Sequence, residues 1–148
     1  MKSIIYLIAI TILFMNACCS TARLENDKSI TILETNCWLN LMPGGEPSFH
    51  YSGTFEIEKQ LADRMKFSSV EVYYKDELIH KSQPLLQFYD EVVTDSMKVI
   101  RFNFYSEQGI KVTETMMKAE SVDFHFVFEF NGDKVEEDLK EITLTRAY

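Results

Sequence analysis

The sequence lacks the short motifs that mark common catalytic sites. It contains no Gly-x-Ser-x-Gly, no phosphate-binding glycine loop, no His-Glu-x-x-His and no Cys-x-x-Cys. Its three histidines, His50, His80 and His125, stand apart from one another in the sequence. We therefore expect a protein that is not an enzyme, with no catalytic residues, no metal and no cofactor.

Basic residues are also scarce. The chain has 15 Lys and Arg against 23 Asp and Glu, which gives a formal net charge of −8. Binding to nucleic acid needs clustered basic side chains on the phosphates, so this balance argues against a nucleic-acid partner. It argues equally against electrostatic adhesion to anionic lipid. The absence of an Asn-x-Ser/Thr sequon disfavours a glycosylated eukaryotic ectodomain.

Cysteine is too rare to form a disulfide framework, since the chain has only three. Two interpretations stay open for Cys37. It could pair with Cys19 in an oxidising compartment, or it could be a buried small hydrophobe beside Trp38. We prefer the buried thiol.

The N-terminus carries the most specific signal in the sequence. Lys2 precedes an apolar run over residues 4–15, and a helix of twelve residues rises only about 18 Å. A hydrocarbon core is roughly 30 Å thick, so the run predicts a signal peptide rather than a membrane span. Met15-Asn16-Ala17-Cys18 then resembles the lipobox of bacterial lipoproteins, in which the cysteine becomes the acylated N-terminus. The alternative is an ordinary secretory cut after Cys19 or Ala22, which would release a soluble protein.

This resemblance implies a signal peptide over residues 1–17 and a lipidated Cys18. The residues that follow are polar and lack apolar periodicity, so we expect the lipidated cysteine and its tether over residues 18–29 and a folded domain over residues 30–148. The protein would then lie in the bacterial cell envelope, held to a membrane by its lipid anchor, on the periplasmic face or at the cell surface. A chain of this length normally folds as a single domain.

Period-two alternation dominates the sequence after the tether. The clearest case is residues 122–131, VDFHFVFEFN, which place phenylalanines on one face and mainly polar residues on the other. Residues 49–58, 70–75, 100–105 and 142–144 alternate in the same way. Such one-sided alternation is typical of antiparallel strands with one packed and one solvated face. Single helical turns are predicted at residues 59–65 and 113–120.

Turn residues separate these runs, as in Met42-Pro43-Gly44-Gly45, Asp76-Glu77 and Asn131-Gly132. The segments VEVYYKDELIHKSQP and MMKAESVDFHFVF resemble the central strands and the turn before the sixth strand of bacterial immunoglobulin-like modules. The sequence thus predicts an all-β, immunoglobulin-like antiparallel β-sandwich of about seven to eight strands. A fold of this kind does not by itself imply a function.

Two surfaces are candidates for contact with a partner. Alternation places Tyr73 and Tyr105 on solvated faces together with Arg101 and Asn103, and exposed tyrosine among polar groups suits a sugar or a protein. The loop over residues 41–48 is the second candidate, and its contact residues would be Met42, Gly44 and Gly45. We expect the partner to be an envelope protein or a glycan.

Two alternatives remain at this point. If their strands share a sheet, His50 and His125 could meet near Glu56 or Glu129 and form a metal site or an enzyme site. The phenylalanine-rich core could also hold a small apolar ligand, which would make the protein a carrier. Two acidic clusters are interpreted as solvated loops rather than calcium sites. They are Asp90, Glu91 and Asp95, and Glu136, Glu137 and Asp138.

Overall fold

Strands make up most of the computed structural model, which describes residues 30–94, 97–107 and 109–148. The strands are β1 (Ile30–Asn40), β2 (Ser48–Glu58), β3 (Met65–Tyr74), β4 (Glu77–Ser82), β5 (Leu85–Thr94), β6 (Met97–Tyr105), β7 (Ile110–Lys111), β8 (Ser121–Phe130) and β9 (Asp133–Ala147). Two short helices join them, α1 (Lys59–Ala62) and α2 (Glu114–Lys118), near the predicted helical turns.

The strands form two layers that share β9. Sheet A has the order β9-β1-β2-β6-β5, with β7 added beside β2, and sheet B has the order β4-β3-β8-β9. Pairing the first, second, fifth and sixth strands against the third, eighth and ninth is the strand order of an immunoglobulin sandwich, with β4 as an added edge strand. The prediction of an all-β, immunoglobulin-like sandwich is confirmed, with eight principal strands and the two-residue β7.

One pairing departs from the predicted antiparallel arrangement. Residues 37–40 of β1 pair in parallel with residues 144–147 of β9. The strand β9 first pairs with β8 in sheet B and then crosses to sheet A. Before it crosses, β9 has a bulge in its pairing with β8, where Glu141 has φ of +57° and its N–H donates to the Asp123 carboxylate at 2.8 Å. The pairing with β8 ends at Thr143, and the pairing with β1 begins at Leu144.

Aromatic side chains fill the space between the sheets. The ring centroid of Phe55 lies 5.4 to 6.3 Å from those of Phe67, Phe102, Phe104 and Phe128. Alternation identified these inward faces correctly. The fully buried aromatic residues are Phe49, Tyr51, Phe55, Phe104, Phe124, Phe126 and Phe128.

The turns follow the expected chemistry. Asn131 and Gly132 both have positive φ and join β8 to β9 in a tight hairpin. The reversal before β4 lies one residue earlier than predicted, because Lys75 and Asp76, not Asp76 and Glu77, have positive φ. The turn around Gly44 separates β1 from β2, as expected.

The predicted signal peptide, Cys18 and the tether over residues 18–29 lie outside the described residues. Cys19 lies there too, so its pairing with Cys37 stays an open alternative. Cys37 itself is 2% exposed, and burial raises the pKa of its thiol to about 12. A thiol in this setting packs as a small hydrophobe, as the preferred interpretation expected.

Candidate functional site

The outer face of sheet A carries polar residues that the strand pairing brings side by side. Glu34, Thr54, Asn103 and Gln87 lie directly opposite one another across β1, β2, β6 and β5. We call this set the amide row. Neighbouring strands are about 4.8 Å apart, so the row extends about 14 Å across the sheet.

A second set lies alongside the amide row. Asn36, Ser52, Tyr105 and Leu85 are opposite one another on the same four strands. Between the two sets the surface forms a shallow depression. Its lining is Glu34, Asn36, Ser52, Gly53, Thr54, Gln87, Asn103, Phe104 and Tyr105.

The side chains that line the depression include hydrogen-bond donors and acceptors, and none of them is cationic. Thr54 Oγ1 donates to Asn103 Oδ1 at 3.0 Å, and Asn36 Nδ2 donates to Glu34 Oε1 at 2.7 Å. The Asn103 amide accepts through its oxygen, so its NH₂ group remains available as a donor. Gln87 adds an exposed amide, and the side chain of Tyr105 adds an exposed ring. This arrangement can hydrogen-bond a polar ligand that carries little charge.

Arg101 lies next to the amide row but is engaged with its own sheet. Its Nε donates to Glu56 Oε1 at 2.6 Å, and the two side chains are 33% and 16% exposed. The residues are opposite one another on β6 and β2. Arg101 therefore closes one side of the surface as a paired charge rather than offering a free cation.

An aromatic pair extends the surface toward the loop between β1 and β2. The rings of Trp38 and His50 stack with centroids 5.3 Å apart and an interplanar angle of 14°. Ser48 Oγ lies 2.8 Å from His50 Nε2. The loop begins beyond this pair, where Met42 is 56% exposed and Gly44 adopts φ of +94°. Asn103, Tyr105 and the loop residues, Gly45 included, thus border one continuous outer face.

Tyr73 does not belong to this face. It lies on β3 in sheet B, so its solvated side is on the opposite side of the sandwich from Tyr105. Its hydroxyl donates to Glu71 Oε2 at 2.7 Å, and Lys81 Nζ donates to the other Glu71 oxygen at 2.6 Å. These hydrogen bonds hold the pKa of Glu71 below its usual range. The predicted sheet surface is therefore divided between two faces.

The two histidines of the alternative site are separated in the same way. His50 lies on sheet A, whereas His125 lies on sheet B with Nδ1 2.7 Å from Asp138 Oδ1 and Nε2 3.9 Å from Glu136 Oε1. The condition for their meeting, a shared sheet, is not met. Within the described part of the chain, no cluster of three or more potential metal ligands is formed.

The prediction that the acidic clusters lie in loops is wrong for the residues that the structure describes. Asp90 and Glu91 lie on β5, and residues 136–138 lie on β9. Asp95 lies outside the described residues. On β9, Glu136 and Asp138 lie on the solvated face of sheet B, next to His125. The acidic composition correctly indicated that these residues are exposed to solvent. It did not show that they lie on strands rather than in loops.

Sequence reasoning missed most of the residues around the depression. The sequence indicates Trp38 only as a neighbour of Cys37, and Gln87 lies on a strand that alternation does not predict. Asn36 and Ser52 carry no motif. Each becomes visible only when register places it beside Asn103 or Tyr105.

Comparison with known proteins assigns no family to the chain, because no family model, no curated protein and no solved structure matches it. Across the residues described by the structure, no helix is both long and apolar enough to cross a membrane.

Proposed function

We propose that this protein is a non-enzymatic, lipid-anchored module of the bacterial cell envelope that binds a neutral glycan on the outer face of sheet A. The observation that carries the proposal is the amide row, in which Thr54, Asn103 and Gln87 lie side by side next to the ring of Tyr105. The proposal concerns binding and assigns no reaction to these residues.

The chemistry of the depression suits sugar hydroxyls. A hydroxyl group both donates and accepts a hydrogen bond, and an amide side chain offers both functions in one plane. Tyr105 and the stacked Trp38 provide apolar ring surface with a polar edge. A glycan presents the same combination, with hydroxyls around its rings and apolar C–H faces.

A glycan fits this face better than a protein partner does. Protein interfaces rely on aromatic, methionine and arginine side chains in a desolvated core. Here Arg101 is already paired with Glu56, and the centre of the face holds small hydroxyl and amide side chains. These groups favour a ligand that is itself rich in hydrogen-bonding groups.

Charge selects among glycans. The chain carries a net charge of −8, and Glu34 lines the depression. The field of such a protein repels polyanions. We therefore propose a neutral oligosaccharide rather than a sulfated or uronic acid polymer.

The anchor sets where this glycan lies. Eleven residues separate Cys18 from Ile30, and an extended tether of that length spans at most about 39 Å. A domain held by acyl chains on Cys18 would reach only glycans close to its own membrane.

A glycan array tests the binding proposal. The purified protein is expected to bind neutral oligosaccharides, and both Asn103→Ala and Gln87→Ala should weaken that binding. Tyr73→Ala is the matched control, since it alters a polar, aromatic position on the opposite sheet. Failure to bind any neutral glycan, or loss of binding only in the Tyr73 variant, would count against the proposal.

The anchor is tested separately. Cys18→Ser should leave an unprocessed precursor or release the protein from the membrane fraction. Mass spectrometry should find acylated Cys18 at the N-terminus of the wild type. A mature protein that starts at Ser20 or Arg23 would contradict the anchor without affecting the glycan proposal.

A further inference from the structure

The free edge of sheet A, formed by β5, exposes an unusual amount of apolar surface. Of the twelve exposed large hydrophobic residues in the described part of the chain, six fall within residues 85–97. They are Leu85, Leu86, Phe88, Tyr89, Val93 and Met97, at 40% to 67% exposure. Because β5 pairs only with β6 among the described strands, its outer backbone edge has no strand partner, and the Glu91 N–H is bonded to Asp90 Oδ1 at 2.8 Å.

Leu86 and Phe88 point to the inner side of the sandwich, whereas Leu85 lies on the outer face opposite Tyr105. Leu86 and Phe88 lie opposite Phe104 and Phe102 of β6, whose side chains face the core. Phe88 nevertheless remains 60% exposed, although its ring contacts Phe102 edge-on at a centroid distance of 6.3 Å. The two sheets are thus open at this edge, and an additional strand would cover the inner faces of these residues.

The edge strand at the other end of the fold differs in these respects. Strand β4 has six residues, and it carries Glu77 and Lys81 as well as the exposed Leu78. Short, charged edge strands discourage pairing with another chain, whereas long apolar edges invite it. Strand β5 also carries two charged residues, Asp90 and Glu91, and a bulge at Tyr89, but it is longer than β4 and exposes more apolar side chains, which makes it the better edge for strand addition.

Charge on β5 determines which strand can be added. Glu91 is paired with Lys59 at 2.8 Å. Asp90 lies on the outer face opposite Arg101, but Arg101 donates to Glu56. Within the described residues no cation lies within 4.0 Å of Asp90. Its Oδ1 accepts the Glu91 N–H at 2.8 Å, and its other oxygen can pair with a cation on an adjacent strand.

A second copy of this chain is a poor occupant. The midpoint of β5 falls between Tyr89 and Asp90. A twofold antiparallel pair of β5 strands centred near this midpoint would therefore bring the two Asp90-Glu91 pairs into the same part of the pairing, where the repulsion between their charges opposes association. The net charge of −8 adds repulsion between copies.

We infer that β5 is a docking edge for an extended segment of another protein, one that alternates apolar residues with lysine or arginine. The added strand would pair with the free backbone edge of β5. Its apolar side chains would cover Leu86, Phe88 and Val93, and a basic side chain would lie beside Asp90. This inference is independent of glycan binding, because it uses the edge rather than the outer face of sheet A.

Two synthetic ten-residue peptides test the inference. Both alternate valine with threonine, and one has lysine, the other glutamate, at the two central threonine positions. Fluorescence anisotropy titrations should show that the wild-type protein prefers the lysine peptide by about fivefold. Asp90→Lys should reverse this preference. Asp90→Asn, which keeps the side-chain oxygen that accepts the Glu91 N–H at 2.8 Å, should abolish it.

Glu77→Lys on β4 is the control and should retain the wild-type preference, since it reverses a charge on the other edge. Amide hydrogen exchange should slow over residues 85–94 when the lysine peptide binds. The inference is overturned if neither peptide binds, or if Asp90→Lys leaves the preference unchanged. Protection of residues 85–94 that rises with protein concentration alone would assign the edge to a second copy instead.

Discussion

Trp38 and His50 lie directly opposite each other on β1 and β2, and their rings stack at a centroid distance of 5.3 Å. The pair lies two residues from Asn36 and Ser52, which line the depression, and Trp38 lies three residues before the start of the loop that carries Met42. It therefore joins the two halves of the proposed binding face. A ligand that extends from the depression toward the loop must pass over the indole ring.

Trp38→Ala should weaken binding of a neutral oligosaccharide about tenfold, a loss of about 1.4 kcal/mol, because it removes the aromatic surface of this face. Trp38→Phe should retain most of the affinity. Calorimetric titration measures both variants. Unchanged affinity in Trp38→Ala would mean that the ligand does not extend past the depression.

Gly53→Ala should destabilise the fold by about 2 to 3 kcal/mol, although alanine adds only one carbon. Gly53 faces the core of the sandwich, where a Cβ would collide with the Glu34 carbonyl oxygen and with the ring of Phe104. Gly45→Ala is the matched control, since a Cβ there meets nothing within 4 Å. Urea denaturation of both variants measures the difference, and equal midpoints would contradict the packing described here.

The sequence predicted correctly which side of its sheet a residue occupies, but it did not predict which of the two sheets each strand joins. Alternation placed Tyr73 and Tyr105 correctly on solvated faces, because the period of a strand determines which side of its own sheet a residue occupies. It carries no information about which of the two sheets a strand joins. Long-range pairing assigns β3 to sheet B and β6 to sheet A, and this assignment separates the two tyrosines.

The strands that escaped prediction are those with an unusual environment. Residues 85–94, LLQFYDEVVT, show no clean alternation because β5 is an edge strand with apolar residues exposed on its inner side and a bulge at Tyr89. In β9 the first half is rich in carboxylates and the positive φ of Glu141 interrupts the period. Gln87 of the amide row was missed because it lies on β5.

Phe126→Asp should prevent folding, because it places a carboxylate among Phe67, Phe104 and Phe124, whose ring centroids lie 5.5 to 6.1 Å from that of Phe126. An unpaired buried charge costs several kcal/mol. His125→Ala, one residue away on the opposite face, should cost about 1 kcal/mol or less, since its contact with Asp138 is solvent-exposed. Circular dichroism and urea melts compare the two, and the reverse order of stability would contradict the facing of β8.

Stability should fall as the pH drops below about 6.5, in part through His80. Burial lowers the pKa of His80 below its ordinary value of 6.5, and its Nε2 lies 2.9 Å from Ser82 Oγ. Between the folded and unfolded pKa values the unfolded chain binds more protons, so acid favours unfolding in this window. His80→Gln should reduce the loss in urea midpoint between pH 7.5 and pH 5.5. An identical loss in the wild type and the variant would show that His80 does not contribute.

The most direct test of the central proposal is an NMR titration of the isotope-labelled protein with the neutral oligosaccharide that binds best on the array. The proposal predicts that the largest amide shift changes lie on sheet A, at Asn36, Ser52 and Asn103 and extending to Trp38. Residues around Tyr73 and His125 on sheet B should be unaffected. Shift changes centred on sheet B, or none with any neutral glycan, would contradict the assignment of the outer face of sheet A as the binding surface.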